Sequence, residues 1–536
     1  MIRNPILPGF NPDPSICRVG ADYYIATSTF EWYPGVQIHH SRDLVNWTLV
    51  KRPLERATQL DMRGNPDSCG VWAPCLSHAD GLFWLVYTDV KRYSGNFKDT
   101  HNYIVTAPAI EGPWSDPVYV NSSGFDPSLF HDDDGRKWFL NMLWNHRSAA
   151  VGGQPRIPGF AGILLQQWDP NTRRLVGEAK NVFRGSSLGL VEGPHLHKRN
   201  GWYYLTVAEG GTSYVHAVTM ARSRHIDGPY EMHPLVHPIT SKDAPDAALQ
   251  RAGHGQIVET PAGAVYHTHL CSRPLRPDLK RSPLGRETAI QKCVWRDDDW
   301  LYLEHGGVVP ALDVPSPDPA AMPLPPQPSR HRFDGPALPA EFQWLRTPQP
   351  ERLFTLTGRA LRLHGRESIG SWFEQSLVAR RQEHFSFRAE TALEFEPRNH
   401  QQVAGLTHYY NQKKFHLLAV TWHEVHGRVL TVFSCPADWP DGRLSFALDA
   451  PAALPSQGPV RLAMEVQRER LQFQFAVGDG AWRDIGPVLD ASAISDEAGG
   501  GTIGAFTGAF VGMVAFDMSG AAQPADFSGF DYLPQD

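Results

Sequence analysis

A short motif recurs through the first part of the chain, and each copy is followed by a run of apolar and aromatic residues. Asn11-Pro12-Asp13-Pro14-Ser15 precedes Tyr23-Tyr24-Ile25-Ala26, and Phe125-Asp126-Pro127-Ser128 precedes Lys137-Trp138-Phe139-Leu140. The equivalent positions in successive copies are 60, 53, 66 and 62 residues apart, and they are Asp13, Ala73, Asp126, Glu192 and His254. Five copies of one unit indicate a repeat architecture, in which each unit packs against its neighbours.

Each unit carries the signals of several short strands joined by tight turns. Asp80-Gly81, Asp134-Gly135 and Asn200-Gly201 stand between apolar runs, which is a strong local signal for a β-hairpin. Four strands per unit, repeated radially, predict a β-propeller, and we expect residues 1–313 to form its five blades. Because the first strand of every blade lines the axis, the equivalent positions should converge at one mouth of the central channel.

The remainder of the chain has a different pattern. Residues 314–329 are dense in proline and predict a stiff linker. Beyond them, runs such as Phe385-Ser386-Phe387-Arg388-Ala389 and Leu471-Gln472-Phe473-Gln474-Phe475 alternate apolar and polar side chains, as antiparallel strands with one buried face do. Residues 330–536 are therefore predicted to form an antiparallel β-sandwich of the lectin-like jelly-roll type, and the whole chain to be all-β.

The composition argues against several classes of partner. The 536 residues carry a formal net charge of −7 with no run of five like charges, so nucleic acid and anionic membranes are disfavoured and an uncharged ligand is favoured. The six cysteines form no C-x-x-C pair, which favours free thiols in a reducing compartment. Since the chain has neither a secretory h-region nor a stretch of about 18 apolar residues, we expect a soluble, cytoplasmic protein.

Three of the five equivalent positions carry carboxyl groups that would share one pocket. Two carboxyl groups flanking a bond, one protonated and one ionised, are the minimum for hydrolysing a glycosidic linkage. The long side chain of Glu192 suits a general acid, and a neighbouring Asp126 carboxylate would raise its pKa. Asp13, whose backbone is restricted by the flanking prolines, is the candidate general base. Each motif alone could be only a turn, but recurrence at one repeat position favours catalysis.

Several residues near the repeat ends are candidates for the wall of the pocket. Phe30, Trp72 and Trp144 can stack on a sugar ring, although an isolated aromatic residue usually belongs to the core. Ala73 occupies the repeat position of the second blade. Arg286 can donate a fork of hydrogen bonds to sugar hydroxyls and offset the negative charge, or it can form a local ion pair with its neighbour.

His254 lies between two glycines and has three open roles. It can bind a sugar hydroxyl, influence the carboxylates, or hold a structural Ca²⁺ in the channel through water. No second histidine or aspartate cluster at ligand spacing accompanies it, so a catalytic metal is weakly supported. We expect no cofactor to be required.

The motifs resemble glycoside hydrolase family 43, and within it the two-domain β-xylosidases. The similarity extends over essentially the whole chain. It is carried by Gly9-Phe10-Asn11-Pro12-Asp13-Pro14-Ser15, Ser28-Thr29-Phe30-Glu31-Trp32-Tyr33-Pro34-Gly35-Val36, Gly124-Phe125-Asp126-Pro127-Ser128, Glu192-Gly193-Pro194-His195, Gly285-Arg286-Glu287-Thr288 and Phe506-Thr507-Gly508-Ala509-Phe510-Val511-Gly512.

The resemblance implies an inverting, exo-acting enzyme that releases xylose from the non-reducing end of short β-1,4-xylooligosaccharides, with α-L-arabinofuranosidase side activity. By motif match, Asp13 is the general base, Glu192 the general acid, and Asp126 the residue that modulates the pKa of the acid and orients it. In an inverting enzyme the carboxyl groups of acid and base should be about 6.5–9.5 Å apart.

The resemblance also implies that Thr212, His254 and Arg286 contact the substrate, and that a sandwich-domain loop closes the pocket through Phe506 or Phe510, a choice that stays open. Two alternatives remain: an enzyme acting mainly on α-L-arabinofuranosides or arabinan, and a propeller that binds glycans without cleaving them. We further expect a homo-oligomer, either a dimer or a tetramer.

Overall fold

The computed structural model describes residues 1–147, 159–436, 442–499 and 506–536. Within these ranges the regular structure consists of β-strands and two short 3-10 helices, Pro350–Arg352 and Ala491–Ala493. No helix in these ranges has the length and apolar character needed to cross a membrane. The prediction of an all-β chain, a five-bladed propeller followed by a sandwich, is confirmed.

Five antiparallel sheets form the blades. The first blade contains Ser15–Val19, Asp22–Thr27, Gln37–Ser41 and Thr48–Lys51. The second contains Gly70–Ala79, Leu82–Arg92, Asp99–Ala107 and Val118–Asn121, and the third Ser128–His131, Lys137–Asn145, Gly159–Asp169 and Arg174–Phe183. The fourth contains Glu192–Arg199, Trp202–Glu209, Ala217–Ser223, Glu231–Met232 and Ile239–Thr240. The fifth contains Gln250–Gly253, Ile257–Glu259, Val265–Ser272, Glu287–Trp295 and Leu301–Leu303.

The innermost strand of the first blade touches the blades on both sides and so closes the ring. Ser15 shows the contact at atomic level. Its Oγ donates to Gln256 Oε1 of the fifth blade at 2.8 Å and accepts a hydrogen bond from the Leu76 backbone N–H of the second blade at 3.0 Å. A single hydroxyl therefore joins three blades at the axis.

The N-terminal segment adds a second closure. Leu7 and Thr288 exchange backbone hydrogen bonds, and Ile2–Arg3 pairs antiparallel with Asp313–Val314. The Asn11 backbone N–H donates to the Arg286 carbonyl at 3.0 Å. As a result, the segment that carries Asp13 is held beside the fifth blade.

Two large antiparallel sheets form the sandwich. One contains Ser329–His331, Phe354–Leu356, Leu361–His364, Ser386–Glu394, Val460–Gln467, Arg470–Val477, Arg483–Asp490 and Pro524–Pro534. The other contains Phe342–Leu345, Ser376–Arg381, Gln402–Asn411, Lys414–His423, Gly427–Pro436, Ser445–Phe446, Ala452–Ala453 and Phe510–Asp517.

The second sheet of the sandwich continues into the propeller sequence. Trp32–Tyr33 pairs antiparallel with Phe342–Leu345 at its edge. A single apolar core then runs from propeller residues such as Val36 and Val71 to Trp344 and the interior of the sandwich. The two parts therefore share both a sheet and a core, and the domain boundaries at 313/314 and 329/330 stay predictions.

Candidate active site

A cavity of about 180 Å³ lies where the propeller meets the sandwich. This volume is below the roughly 300–1,000 Å³ of sites for drug-sized ligands, so the cavity suits a single small ring. The carboxyl groups of Asp13, Asp126 and Glu192 all line it. The propeller thus brings together three acidic side chains that are far apart in the sequence.

Asp13 lies on a wall that compensates its charge. Arg286 Nη1 donates to its Oδ1 at 2.8 Å, and the Ser28 hydroxyl donates to its Oδ2 at 2.7 Å. Burial by itself raises the pKa of Asp13, but Arg286, His254 and the Ser28 hydroxyl outweigh burial and lower that pKa below its usual value. Asp13 is therefore kept as a carboxylate.

The backbone at Asp13 differs from what its prolines predict. A residue before proline favours extended conformations, but Asp13 has a φ of 57°, and Asp126, also before a proline, has a φ of 54°. Both are in the left-handed region, which is strained for residues other than glycine and is often found at functional sites. The repeated motif thus holds Asp13 and Asp126 in the same unusual backbone conformation.

Asp126 and Glu192 lie on a wall with little compensating charge. The Gly193 backbone N–H donates to Asp126 Oδ2 at 3.1 Å. Burial, with repulsion from Glu192 and Asp13, raises the pKa of Asp126. Burial and repulsion from Asp13 raise the pKa of Glu192 to about 8, although Arg286 and Lys98 partly oppose this shift. Glu192 is therefore a protonated acid at neutral pH.

His254 packs between these walls. Its Nδ1 lies 3.7 Å from Asp13 Oδ1, and burial lowers its pKa below the usual value. The ring leaves no room at Gly193, where an added Cβ would lie 2.9 Å from the imidazole. Gly193 must therefore be a glycine for two reasons: the His254 ring approaches it closely, and its φ is 57°.

Aromatic rings form much of the remaining surface. Phe30, Trp72 and Phe506 all line the cavity. Their ring centroids are 5.7 Å apart for Phe30 and Trp72, 5.8 Å for Trp72 and Phe506, and 6.3 Å for Phe30 and Phe506. Phe506 is the one of these three that the sandwich contributes, and its carbonyl accepts a hydrogen bond from Arg286 Nη2 at 3.0 Å.

The other predicted pocket residues divide into two groups. Thr212, His254 and Arg286 line the cavity, whereas Ala73, Trp144 and Phe510 do not. The Phe510 ring is fully buried and stacks on Trp32 at a centroid distance of 3.6 Å. Trp144 donates its indole N–H to the Asn96 carbonyl at 2.8 Å, and its ring lies under the Lys98 ammonium.

Five further residues line the cavity that the sequence reasoning did not single out: Tyr93, Lys98, Phe125, Phe160 and Gly211. Phe125 had a signal, because it precedes Asp126 in the repeated motif. Lys98 lies in the connection between two strands of the second blade, where no periodic pattern fixes the direction of a side chain. Its charge acts directly on the pKa of Glu192.

The described ranges contain no group of three or more His, Cys, Asp and Glu side chains that could hold a metal ion. Near His254, the nearest acidic side chain is already engaged with Arg286 and Ser28. Since Ca²⁺ takes six to eight oxygen ligands, a Ca²⁺ near His254 would have to take most of its ligands from water.

The family model described as glycosyl hydrolases family 43 matches residues 2–301. This match covers more than half of the chain. The chain belongs to glycoside hydrolase family 43. A second model, described as the beta xylosidase C-terminal concanavalin A-like domain, matches residues 330–533.

Three relatives illustrate how far the similarity extends. The "Xylosidase/arabinosidase 43B" of Humicola insolens is 59% identical over 535 residues, which are 99% of this chain and 98% of that protein. The "Xylan 1,3-beta-xylosidase" of a Vibrio species is 44% identical over 545 residues, 99% of each chain. The crystal structure of a xylan β-1,4-xylosidase from Bacillus halodurans C-125 has a TM-score of 0.94 and 50% identity, covering 99% of this chain and 100% of that one.

Membership of family 43 makes this protein a glycosidase. The interpretation as an enzyme is confirmed, and the alternative of a propeller that only binds glycans is not supported. Two carboxyl groups with opposite protonation preferences in one small cavity agree with that chemistry.

Proposed function

We propose that this family 43 enzyme is an inverting, exo-acting β-xylosidase that removes one xylose from the non-reducing end of short xylooligosaccharides. Asp13 acts as the general base that activates water, and Glu192 acts as the general acid that protonates the leaving oxygen. Asp126 orients the acid, which its hydrogen bond from the backbone N–H of Gly193, the residue after Glu192, supports; its part in modulating the pKa of the acid stays a prediction. The names of the relatives, xylosidases in each case, support the choice of substrate.

One observation carries the proposal: the two carboxyl groups of Asp13 and Glu192 have pKa values shifted in opposite directions within the same cavity. Inverting hydrolysis needs an ionised base and a protonated acid at the same pH. At neutral pH, Asp13 is ionised because of Arg286, and Glu192 is protonated because of burial and the Asp13 charge. Each group is thus in the form that its role requires before the substrate binds.

The small volume of the cavity supports exo action. Phe506 of the sandwich and Phe30 and Trp72 of the propeller surround a volume of about 180 Å³. A terminal sugar fits such a cavity, whereas the middle of a polymer would need an open groove. The leaving part of the substrate then extends past Glu192 towards solvent.

The deciding experiment follows the hydrolysis of xylobiose by proton NMR, with β-1,4- and β-1,3-linked isomers compared. The anomer is read on 4-nitrophenyl β-D-xyloside instead, because the leaving xylose of xylobiose is itself a mixture of both anomers. We expect α-xylose to appear first there, because water attacks from the face opposite the leaving group. Initial β-xylose would contradict inversion. Cleavage of the 1,3-linked isomer alone would retain the roles of the carboxyl groups but change the substrate to that of the Vibrio relative.

Activity on α-L-arabinofuranosides is the second candidate, since the Humicola relative is named for both activities. We propose it as a side activity. The test compares kcat/KM on 4-nitrophenyl β-D-xyloside and 4-nitrophenyl α-L-arabinofuranoside. A large preference for the furanoside would make the arabinofuranosidase the main function.

Three further proposals concern the setting of the enzyme. We propose a cytoplasmic location, which the free thiols of Cys17, Cys69, Cys75, Cys271 and Cys293 support, and a homo-oligomer, which light scattering would test. A structural Ca²⁺ held by His254 through water remains part of the proposal. Melting curves with EDTA and with added Ca²⁺ test it, and identical melting temperatures would contradict it.

A further inference from the structure

Two residues on opposite walls of the cavity, Thr212 of the propeller and Phe506 of the sandwich, are joined by a chain of buried polar contacts behind them. The chain starts at the Thr212 carbonyl, which accepts hydrogen bonds from Arg251 Nε at 2.7 Å and from Arg251 Nη2. Arg251 Nη1 lies 3.2 Å from Asp496 Oδ2 of the sandwich. The first part of the chain therefore crosses from one half of the molecule to the other.

The second part returns to the cavity within the sandwich. The Tyr410 hydroxyl donates to Asp496 Oδ1 and accepts a hydrogen bond from the Thr507 backbone N–H at 2.9 Å. Thr507 directly follows Phe506, whose own N–H donates to the Ser68 hydroxyl at 3.2 Å. Phe506 is thus fixed by a propeller hydroxyl on one side and by Tyr410 on the other.

The members of this chain are buried and their charges are balanced. Arg251, Asp496 and Tyr410 are 5%, 4% and 0% exposed. Arg251 also pairs with Glu497 at 3.1 Å, and the Lys414 ammonium donates to the Asp496 carbonyl at 3.1 Å. Arg251 therefore faces two carboxylates, and backbone carbonyls hold the Lys414 ammonium, so each of these charges has a hydrogen-bonding partner, as buried charges require.

None of these three side chains lines the cavity, so they cannot act on the substrate directly. Their contacts are instead with backbone atoms of residues that do line it, or of the next residue. Moving Phe506 would also disturb Arg286, because the same guanidinium holds the Phe506 carbonyl and the Asp13 carboxylate. The position of the sandwich loop is thus linked to the environment of the base.

We infer that Arg251, Asp496 and Tyr410 are positioning residues, which set the distance between the Thr212 and Phe506 walls and so determine how tightly the cavity binds the terminal sugar. This inference rests on the proposed function for the identity of that sugar. It assigns to the interface between the propeller and the sandwich a direct role in substrate affinity.

Tyr410→Phe is the sharpest test, because it removes one hydroxyl and leaves all four buried charges in place. The hydroxyl makes two hydrogen bonds, and the one from the Thr507 N–H supports the Phe506 wall. Loss of that one hydrogen bond corresponds to roughly a tenfold change in an equilibrium constant. We therefore expect KM for 4-nitrophenyl xyloside to rise roughly tenfold, while kcat changes less than about threefold, since the interaction lost is with a binding wall.

The matched control is Tyr532→Phe. Tyr532 is 1% exposed in the same half of the molecule, and its hydroxyl also accepts a backbone N–H, that of Glu383 at 3.3 Å. It does not line the cavity. We expect a similar loss of melting temperature in both variants but an unchanged KM in Tyr532→Phe. An unchanged KM in Tyr410→Phe, or the same rise in both variants, would overturn the inference.

Arg251→Lys tests the other end of the chain, because lysine keeps the charge facing Asp496 and Glu497 but cannot supply the fork to the Thr212 carbonyl. We expect KM to rise here too. In the double variant Arg251→Lys/Tyr410→Phe, KM should rise less than the product of the two single effects, because both changes break one chain. Multiplicative effects would contradict a connected chain.

All KM ratios are measured on the glycoside that the wild-type enzyme cleaves fastest. If that glycoside is not a xyloside, the proposed substrate is wrong, but the ratio between Tyr410→Phe and Tyr532→Phe still decides the inference. If xyloside is cleaved and the two ratios are equal, the function stands and the inference fails.

Discussion

The two walls of the cavity both carry carboxyl groups, but they shift the pKa of these groups in opposite directions. On the wall of Asp13, a guanidinium, a hydroxyl and an imidazole surround the carboxylate and lower its pKa. On the wall of Asp126 and Glu192, the contact to the carboxyl groups is a backbone N–H, and both pKa values are raised. Asp13 and Asp126 even share a left-handed backbone at equivalent repeat positions.

The difference teaches that the repeat determines where a carboxyl group lies, while two residues outside the repeat motif, Arg286 and Ser28, act with His254 to keep Asp13 ionised. Arg286 belongs to the fifth blade and Ser28 to the connection after the second strand of the first blade. Neither lies at an equivalent repeat position. The repeat therefore places the acidic residues around one cavity, and residues without a counterpart in the repeat help to give them different protonation states.

The largest effect should come from removing the ionised partner. We expect Asp13→Asn to lower kcat on every xyloside by roughly 10²- to 10⁴-fold, because the variant has no general base. Steady-state kinetics with good and poor leaving groups measures this loss. Asp89→Asn is the matched control, since Asp89 is also 5% exposed but lies outside the cavity. A loss confined to poor leaving groups would contradict the role of base.

Removing the protonated partner should produce a loss that depends on the leaving group. We expect Glu192→Gln to lose roughly 10²- to 10⁴-fold on xylobiose, but far less on 2,4-dinitrophenyl xyloside, which needs no proton. In the wild type, kcat/KM should fall as the pH rises through about 8, because Glu192 must be protonated. This basic limb should disappear in the variant with the activated substrate. Equal losses on both substrates would argue against Glu192 as the acid.

Replacing Arg286 with a neutral residue should make the two walls more alike in charge, because the Asp13 wall loses its guanidinium. Arg286→Gln removes the charge that holds the pKa of Asp13 low and that also opposes the raised pKa of Glu192. Both limbs of the pH profile of kcat/KM should therefore move to higher pH, with a loss of roughly 10²-fold at the optimum. Arg286→Lys, which keeps the charge, should shift the acidic limb less. An acidic limb that stays in place in Arg286→Gln would show that Arg286 does not control the base.

Lys98 gives the smallest expected change and acts on one wall only. Its ammonium favours the ionised form of Glu192, so Lys98→Met should raise the pKa of Glu192 and move the basic limb to higher pH by less than about one unit. The acidic limb should not move. A downward shift of the basic limb, or a shift of both limbs, would contradict the assignment of Lys98 to the Glu192 wall.

Much of the fold follows from local signals in the sequence. The Asp-Gly and Asn-Gly turns specify hairpins, and the spacing of Asp13, Asp126 and Glu192 fixes the equivalent positions that meet in the cavity. The pairing of Trp32–Tyr33 with Phe342–Leu345 could not be predicted in this way, because a two-residue strand has no periodicity and its partner lies about 310 residues away in the sequence.

The site was less predictable at positions where the direction of the side chain decides whether the residue lines the cavity. Phe506 and Phe510 lie in one glycine-rich string, but Phe510 opens a strand that packs on Trp32, while Phe506 precedes the strand and faces the cavity. Trp144 had the same sequence signal as Trp72, yet it packs beneath Lys98 rather than on the cavity. Tertiary packing decides which of two residues with the same sequence signal lines the cavity.

The strand Trp32–Tyr33 joins the sandwich sheet only two residues after Phe30, which lines the cavity. The halves of this enzyme are consequently not exchangeable modules. A foreign C-terminal half grafted onto the propeller must therefore provide a sheet edge that pairs with these two residues. Without that pairing, the nearby Phe30 wall of the cavity would lose its support.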